Sequence, residues 1–506
     1  MDFASVILFQ ILYYLRPQEW PIGLGAVHFV QIAMLTGLAS LSLRERGFSF
    51  RDVFRTPHDW AMLAFWLWIV FSSPTRWETF KETASYYLLY VLIVQTLYSI
   101  PRLSRFVGWW TYLICAVALL ALAQMHGFDP LDSLDLTNGP MKGRLALNLS
   151  IFNNPNALGH SIVPAFPLLY YFCIWKKNVF HRVLGVGLLI LTAYCILLTQ
   201  SKGAFLAGGA TLLATLTFGR PKFVQTSIIC GALLFGGAAL SLLPRMEELN
   251  KTKSDPAIQG RVIAFRHGFK MIQTNNYGVG YHKWGDSFLA AKYRYKRTKF
   301  DKESLKRPMP IIFKASHSSF VCIGAELGYP GFFLHMGILY CCLRTLITAK
   351  TATPDEERIR RILFALIVSY AVSSWMVNFE YRSTFFMFAA ATAALHRHLQ
   401  RLNEQKDSQI EGADGRLLQP AVPAWRARLL PQPALEGAFA QMGAQVKVLS
   451  LESPLAATPA PQPEPAAQPV SGIGFAWNRI GLVDLALTLA MTYAAVRYWS
   501  YLLTQV

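Results

Sequence analysis

Apolar runs separated by short polar connections fill the first four hundred residues of this chain. They lie at about residues 3–15, 22–43, 60–73, 83–100, 106–125, 157–175, 183–199, 203–218, 223–243, 318–343, 362–378 and 383–396. Each is long enough, or nearly so, to cross a hydrocarbon layer of about 30 Å as a helix. The pattern predicts an all-α, polytopic membrane protein with about twelve core transmembrane helices. Phe3 to Leu15 follows no basic stretch and precedes no small-residue cleavage site, so it reads as a retained helix, not a removable signal.

Two stretches break the pattern. Residues 244–316 are polar and carry sixteen Lys/Arg against six Asp/Glu, which makes them one large loop. Within it Val262, Phe265, Phe269 and Ile272 recur at three- and four-residue steps, predicting a short amphipathic helix with Arg261 at its start. Beyond Gln400, ten of the 27 prolines lie between Pro420 and Pro469, so residues 399–478 read as an extended, disordered linker. Residues 479–506 hold a final apolar run, a candidate thirteenth helix. Its Asp484 and Arg497 leave open whether it spans, lies at the interface or packs on the core of residues 1–398.

Composition agrees with the membrane class: 53% of residues are hydrophobic and only 15% charged. The net charge of +19 is better assigned to topology than to nucleic acid, because no nucleic-acid module is recognisable. Basic residues concentrate in alternate loops: Arg44, Arg46, Arg51 and Arg55; Arg102 and Arg105; Lys176, Lys177 and Arg182; Arg220 and Lys222; Arg344, Lys350, Arg358, Arg360 and Arg361. The intervening short loops hold only Arg16; Arg76 and Lys81; Lys142 and Arg144; Lys202; and Arg382. By the positive-inside rule the N-terminus is cytoplasmic and the 244–316 loop lies outside. That loop is too long for its charge to govern orientation. Its excess of cations suits either anionic lipid or a polyanionic substrate. All seven cysteines fall in apolar runs without metal-ligand spacing and read as core hydrophobes, so no metal or cofactor is expected.

The outer side collects four polar segments. In Phe152-Asn153-Asn154-Pro155-Asn156-Ala157-Leu158-Gly159 the Asn and Pro residues end a loop, and Asn156 is a candidate cap for the next helix. Leu198-Thr199-Gln200-Ser201-Lys202-Gly203-Ala204 is a tight turn whose lone Lys202 reads either as a functional cation or as a lysine snorkelling to headgroups. Gly260-Arg261, with Arg266 and Lys270 four apart on another flank, leads into Asn275-Asn276-Tyr277-Gly278-Val279-Gly280. Guanidinium suits a diphosphate because its planar fork binds two oxygens at once. The fourth segment runs from His317 and Ser318 to Glu326-Leu327-Gly328-Tyr329-Pro330-Gly331. A histidine near an apolar face is commonly structural, yet its near-neutral titration also suits a general base. Helical spacing puts Glu326 more than two turns further in, on the same wall at most.

Together these segments, in this order and spacing over residues 1–398, resemble the O-antigen ligase and polymerase superfamily of bacterial membrane glycosyltransferases. The resemblance implies transfer of a glycan from undecaprenyl diphosphate to an acceptor hydroxyl at the periplasmic face of the bacterial inner membrane, without a metal. The acceptor differs within the superfamily: lipid A core in ligases, a growing repeat unit in polymerases, a protein in O-oligosaccharyltransferases. His317 takes the position of the family's essential histidine and Arg261 that of its loop arginine. Lys202, Arg266 and Lys270 become diphosphate-binding candidates, with Asn154, Asn156, Ser318, Glu326 and Arg382 in support. Lys202 stands where ligases usually carry arginine, so charge is kept and the fork is lost. The proline-rich tail departs from the compact family pattern and is a candidate site for a partner. A transporter of a lipid-linked glycan would share the basic outer face, but it would bring internal repeats that this chain does not display.

Overall fold

In a computed structural model of the chain, the described residues are 2–21, 28–43, 53–138, 141, 143–241, 256–287, 315–413 and 480–504. The basic residues at 44–51, Lys142, most of the 244–316 loop and the linker beyond residue 413 lie outside them. The chain divides into two compact units, Met1–Gln400 with Ala476–Val506, and Arg401–Phe475. The described residues are helical, with no strand among them.

The helices are α1 Asp2–Leu15, α2 Phe29–Ser42, α3 Pro57–Ser72, α4 Arg76–Thr96, α5 Ile100–Ala123 and α6 Ser133–Asn138. They continue as α7 Pro155–Ile162, α8 Ala165–Leu169, α9 Val179–Thr199, α10 Lys202–Thr217, α11 Lys222–Ser241 and α12 Pro256–Thr274. The last four are α13 Ser319–Thr348, α14 Pro354–Ser374, α15 Ser383–Ala413 and α16 Leu482–Thr504. A helix therefore sits in every apolar run. Among the described residues four segments are long and apolar enough to cross a membrane: Ile100–His126, Pro155–Ile174, Val179–Thr199 and Ser319–Thr348. This is a multi-pass membrane protein.

Helix ends follow local chemistry. Thr56 with Asp59, and Thr353 with Glu356, form capping boxes, each with proline at the first helical position. Asn154 caps α7 by accepting from the Asn156 amide at 2.9 Å. The sequence suggested Asn156 for that role; Pro155 occupies the first helical position, so the cap is the residue before it. The α12 helix likewise begins at Pro256, earlier than the apolar periodicity indicated, which puts Arg261 in its second turn.

Helix α13 is the axis of the fold, packing on α3, α12, α14 and α16. A second group, in which α10 takes α7, α8 and α14, joins it through α14. Phe65, Phe106, Trp110, Phe332 and Phe385 are fully buried in the shared apolar core. Because lipid offers buried polar groups no hydrogen bonds, such groups are stabilised by pairing within the bundle, as the ion pair at Asp59 illustrates. Asp59 accepts from Tyr90 at 2.8 Å and pairs with Arg397 at 2.9 Å, tying α3 and α4 to α15.

The α12 helix rests on a smaller, separate core. Ala264, Met271 and Ile272 face Val321, Cys322 and Ala325 of α13, with Trp284 and Trp499 filling the remainder. His267 points into this layer edge-on to Trp284, with centroids 5.3 Å apart. Burial, and then the Lys270 charge, pull its imidazole down to about 4. An unfolded histidine titrates near about 6.5, so between those values the unfolded chain binds the extra proton and stability is lost as pH falls. Survival of the detergent-solubilised protein on mild heating is expected to decline from about pH 6.5 towards about pH 4, and His267→Gln to make that decline shallower. Heating curves across pH check this; an unchanged slope in the variant would refute it.

Candidate functional site

His317 lies next to Ser318, the cap of α13, and has left-handed backbone geometry, with φ of 52°. For a side chain other than glycine this conformation costs on the order of 1 kcal/mol and must be held by its surroundings. Two serines hold it. Ser318 caps α13 through the Val321 amide and donates its hydroxyl to the Ser374 carbonyl at 3.1 Å. The Ser319 hydroxyl donates to the Val377 carbonyl at 2.9 Å and accepts from the Phe379 amide at 2.7 Å. The start of α13 is thereby fastened to the stretch that follows α14.

The first two sequence segments reach the same stretch. Arg144 donates to the Thr199 carbonyl and to Asn156 Oδ1, each at 3.0 Å, clasping the start of α7 to the turn before α10. In that turn Gln200 takes φ of 50° and Ser201 caps α10, which begins with Lys202. Gly203 lies so close to His160 and Met376 that a Cβ there would approach them to 2.9 and 3.0 Å. His160 Nδ1 in turn meets Ser373 Oγ at 2.9 Å.

The third and fourth segments clasp each other. The Glu326 carbonyl accepts from the amides of Val279 and Gly280, both at 2.8 Å, and the Tyr329 amide donates to the Asn276 carbonyl at 2.9 Å. Gly278 and Gly328 sit at this crossing with φ of 92° and 68°, and a Cβ on either would come within 2.3 Å of the opposite carbonyl oxygen. Glycine is required at both places by conformation and by space. The Glu326 carboxylate completes the clasp, accepting from the Trp284 amide at 2.8 Å, the His282 amide at 3.2 Å and the Tyr381 hydroxyl at 2.9 Å. Glu326 is thus an anchor for the 279–284 turn.

The first, second and fourth segments reach residues 373–382 directly and the third joins them through Glu326 and through the Tyr281 ring, 4.7 Å from that of Tyr381, so all four converge on a stretch of which the sequence singled out only Arg382. Arg382 donates to the Ile151 carbonyl at 3.0 Å and lies 4.6 Å from the Phe379 ring. It shares with Tyr13, Tyr14, His160, Ser373 and Thr384 the wall of a small cavity of about 30 Å³, enough for one or two waters. His160 Nε2 is buried there without a hydrogen-bond partner among the described residues. Glu380, also buried, has Cys322 and Ser319 beside it; burial is the largest influence and pushes its carboxyl above the usual range. Burial also draws Arg382 downward, against the neighbouring Tyr13 and Glu380. Neither His160 nor Glu380 stands out in the sequence, because a single buried titratable residue leaves no periodic or spaced signature.

The cations divide. Arg261 is half-buried in the second turn of α12. Lys202 is half-buried at the head of α10, while Arg266 and Lys270 lie on the exposed flank of α12. Among the described residues no group of three His, Cys, Asp or Glu side chains is arranged to hold a metal ion. The arrangement offers an imidazole, a buried carboxyl and several cations at one end of the bundle, a combination suited to proton transfer beside an anion.

In comparisons with known proteins, residues 187–336 match the O-antigen ligase family model. The match takes in Lys202, Arg261, Arg266, Lys270, His317, Ser318 and Glu326, and ends before the 373–382 stretch. A search of curated proteins found no match. Glu326→Gln replaces one acceptor oxygen with a donor facing an N–H or hydroxyl donor, at a cost of about 1–3 kcal/mol. The variant is expected to lower thermal survival in detergent together with activity, whereas a residue acting only in chemistry would lower activity alone. Unaltered thermal survival of Glu326→Gln would contradict the anchoring role.

Proposed function

We propose, from the premise that this chain belongs to the O-antigen ligase-like superfamily, that it transfers a glycan from undecaprenyl diphosphate to an acceptor hydroxyl at the outer face of the bacterial inner membrane. The observation that carries this reading is the convergence of four separate polar segments on residues 373–382, at the end of the bundle where α13 begins. On this reading the twelve core helices are spans, the N-terminus is cytoplasmic, and the 244–316 loop is periplasmic.

In the proposed reaction the acceptor hydroxyl attacks the anomeric carbon, and the bond from that carbon to the diphosphate oxygen breaks. Negative charge collects on the departing diphosphate. Arg261 and Lys202 stabilise it, with Arg266 and Lys270 drawing the donor to the loop helix. His317 accepts the acceptor's proton, or orients the hydroxyl for attack; such a group contributes about 10²–10⁴-fold. The strained backbone at His317 fits this role, since sparsely populated geometry persists where surrounding contacts fix a reactive group. Asn154, Asn156, Ser318, Glu326 and Arg382 serve by holding segments in place.

Glycan profiling of a deletion strain tests the reading and names the acceptor. Undecaprenyl-linked glycan is expected to accumulate while one pool is lost among lipid A glycans, free polysaccharide and glycoproteins. Wild type restores that pool, whereas His317→Ala and Arg261→Ala, present in the membrane at normal levels, lower transfer by about 10²-fold or more. Unchanged glycans in all three pools, or near-normal rescue by both variants, would overturn it.

A further inference from the structure

The C-terminal helix lies along α13 and is fixed at both of its ends. At the start of α16, Asp484 pairs with Arg344 at 2.6 Å, accepts from the Tyr340 hydroxyl at 2.8 Å, and accepts from the Gly481 amide at 2.8 Å. The pair is buried, with side-chain exposures of 6% and 3%, so a charge that spoke against a membrane helix is neutralised inside the protein. Fifteen residues on, Trp499 reaches the other end of α13, near Gly324. The two helices therefore run antiparallel over most of the length of α13, and α16 ends beside the candidate site.

Trp499 is 1% exposed and occupies a slot between α12 and α13. Its indole N–H donates to the Phe265 carbonyl of α12 at 3.1 Å, and its ring meets Phe269 edge-on at 5.4 Å. Gly268 of α12 and Gly324 of α13 leave the space it fills: a Cβ on either would approach the indole to 3.1 Å. The neighbouring Tyr498 packs edge-on against Trp375, within the 373–382 stretch, at 5.5 Å. Arg261 precedes Gly268 by seven residues, two helical turns, and so lies on nearly the same side of α12. One of the two tryptophans in the small core under α12 thus comes from a helix about eighty residues of sequence beyond the core of the bundle.

We propose that Trp499 is a positioning residue for Arg261. By filling the slot between α12 and α13, the C-terminal helix sets the loop helix against the start of α13 and so fixes where the donor's diphosphate is held relative to His317. The proposal rests on the glycosyl-transfer reading for its catalytic consequence and on packing alone for its structural one. Small displacements of a group that binds the reacting centre cost up to about 10²-fold, so a remote tryptophan can govern transfer without touching substrate.

The experiment compares full-length wild type, Trp499→Ala and Trp499→Phe in detergent or proteoliposomes. It pairs amide hydrogen exchange with transfer kinetics on the undecaprenyl-linked donor. In Trp499→Ala, exchange over residues 261–272 is expected to accelerate while that of α9 and α10 stays at the wild-type rate. The KM for the donor rises at least about tenfold and that for the acceptor stays unchanged, because Arg261 holds the donor. Trp499→Phe refills most of the slot and restores most of both readouts. Wild-type exchange over 261–272 in Trp499→Ala would overturn the proposal, as would faster exchange everywhere with kcat and both KM values altered together in Trp499→Ala and Trp499→Phe alike. If wild type transfers no glycan at all, the functional reading falls, and the exchange data alone still decide whether Trp499 holds α12.

Discussion

A helix that ends inside or at the edge of a membrane leaves backbone groups that lipid cannot satisfy. Much of this structure follows from how that requirement is met at one place. The carbonyls of Ser374 and Val377 accept from the serines that begin α13, the Ser373 hydroxyl meets His160, and the Tyr381 hydroxyl reaches Glu326. One irregular stretch thus satisfies groups from two other regions of sequence, around His160 and along the first turns of α13. Irregular backbone at this depth persists only where protein surrounds it, and these bonds and packed rings are its surroundings. His317 is fixed by the same arrangement, because it is the residue before the capped turn.

The same constraint separates what the sequence discloses from what it hides. Helices are legible because apolar runs are long, and because the caps at Thr56 and Thr353 are local patterns of four residues. Residues 373–382 are not legible, since their partners lie tens to hundreds of positions away and their own spacing has no period. Glu326 shows the difficulty in a single side chain. From helical spacing it belongs to the wall below His317, and its true partners, the amides of His282 and Trp284, come from a turn over forty residues earlier. The charges of α16 leave three readings open from the sequence. The buried Arg344 partner of Asp484 shows that the helix packs on α13, and no property of residues 480–504 taken alone points to Arg344.

Electrostatics gives the cations unequal standing. Arg266 and Lys270 face solvent on α12, where attraction for an anion is screened within about 8–10 Å at ordinary salt. On the proposed reading their effect is on encounter and local concentration of a charged lipid headgroup. Arg261 and Lys202 are half-buried near helix ends, where the effective dielectric is lower and each unit of charge counts for more. Lysine at position 202 keeps the charge as a compact point on a flexible stem, so on the proposed reading the planar, two-pronged geometry comes from Arg261. Arg382 has a different task, since its guanidinium is turned to the Ile151 carbonyl and the Phe379 ring.

Helix α13 joins these regions mechanically. Its first residues carry the capped turn of His317, its second and third turns carry the Glu326 and Gly328 clasp, and its far end carries Arg344 with Asp484. Gly328 departs from helical geometry, and Pro330 follows two residues later, so the helix bends where the 275–284 turn crosses it. The bend lets the Asn276 carbonyl approach the Tyr329 amide, and the Trp68 indole takes the Leu327 carbonyl at 2.8 Å. A backbone bond lost to the kink is thus replaced by bonds to other elements. The irregularity that weakens α13 as a helix is what allows a loop segment and the candidate histidine, His317, to share one rigid support.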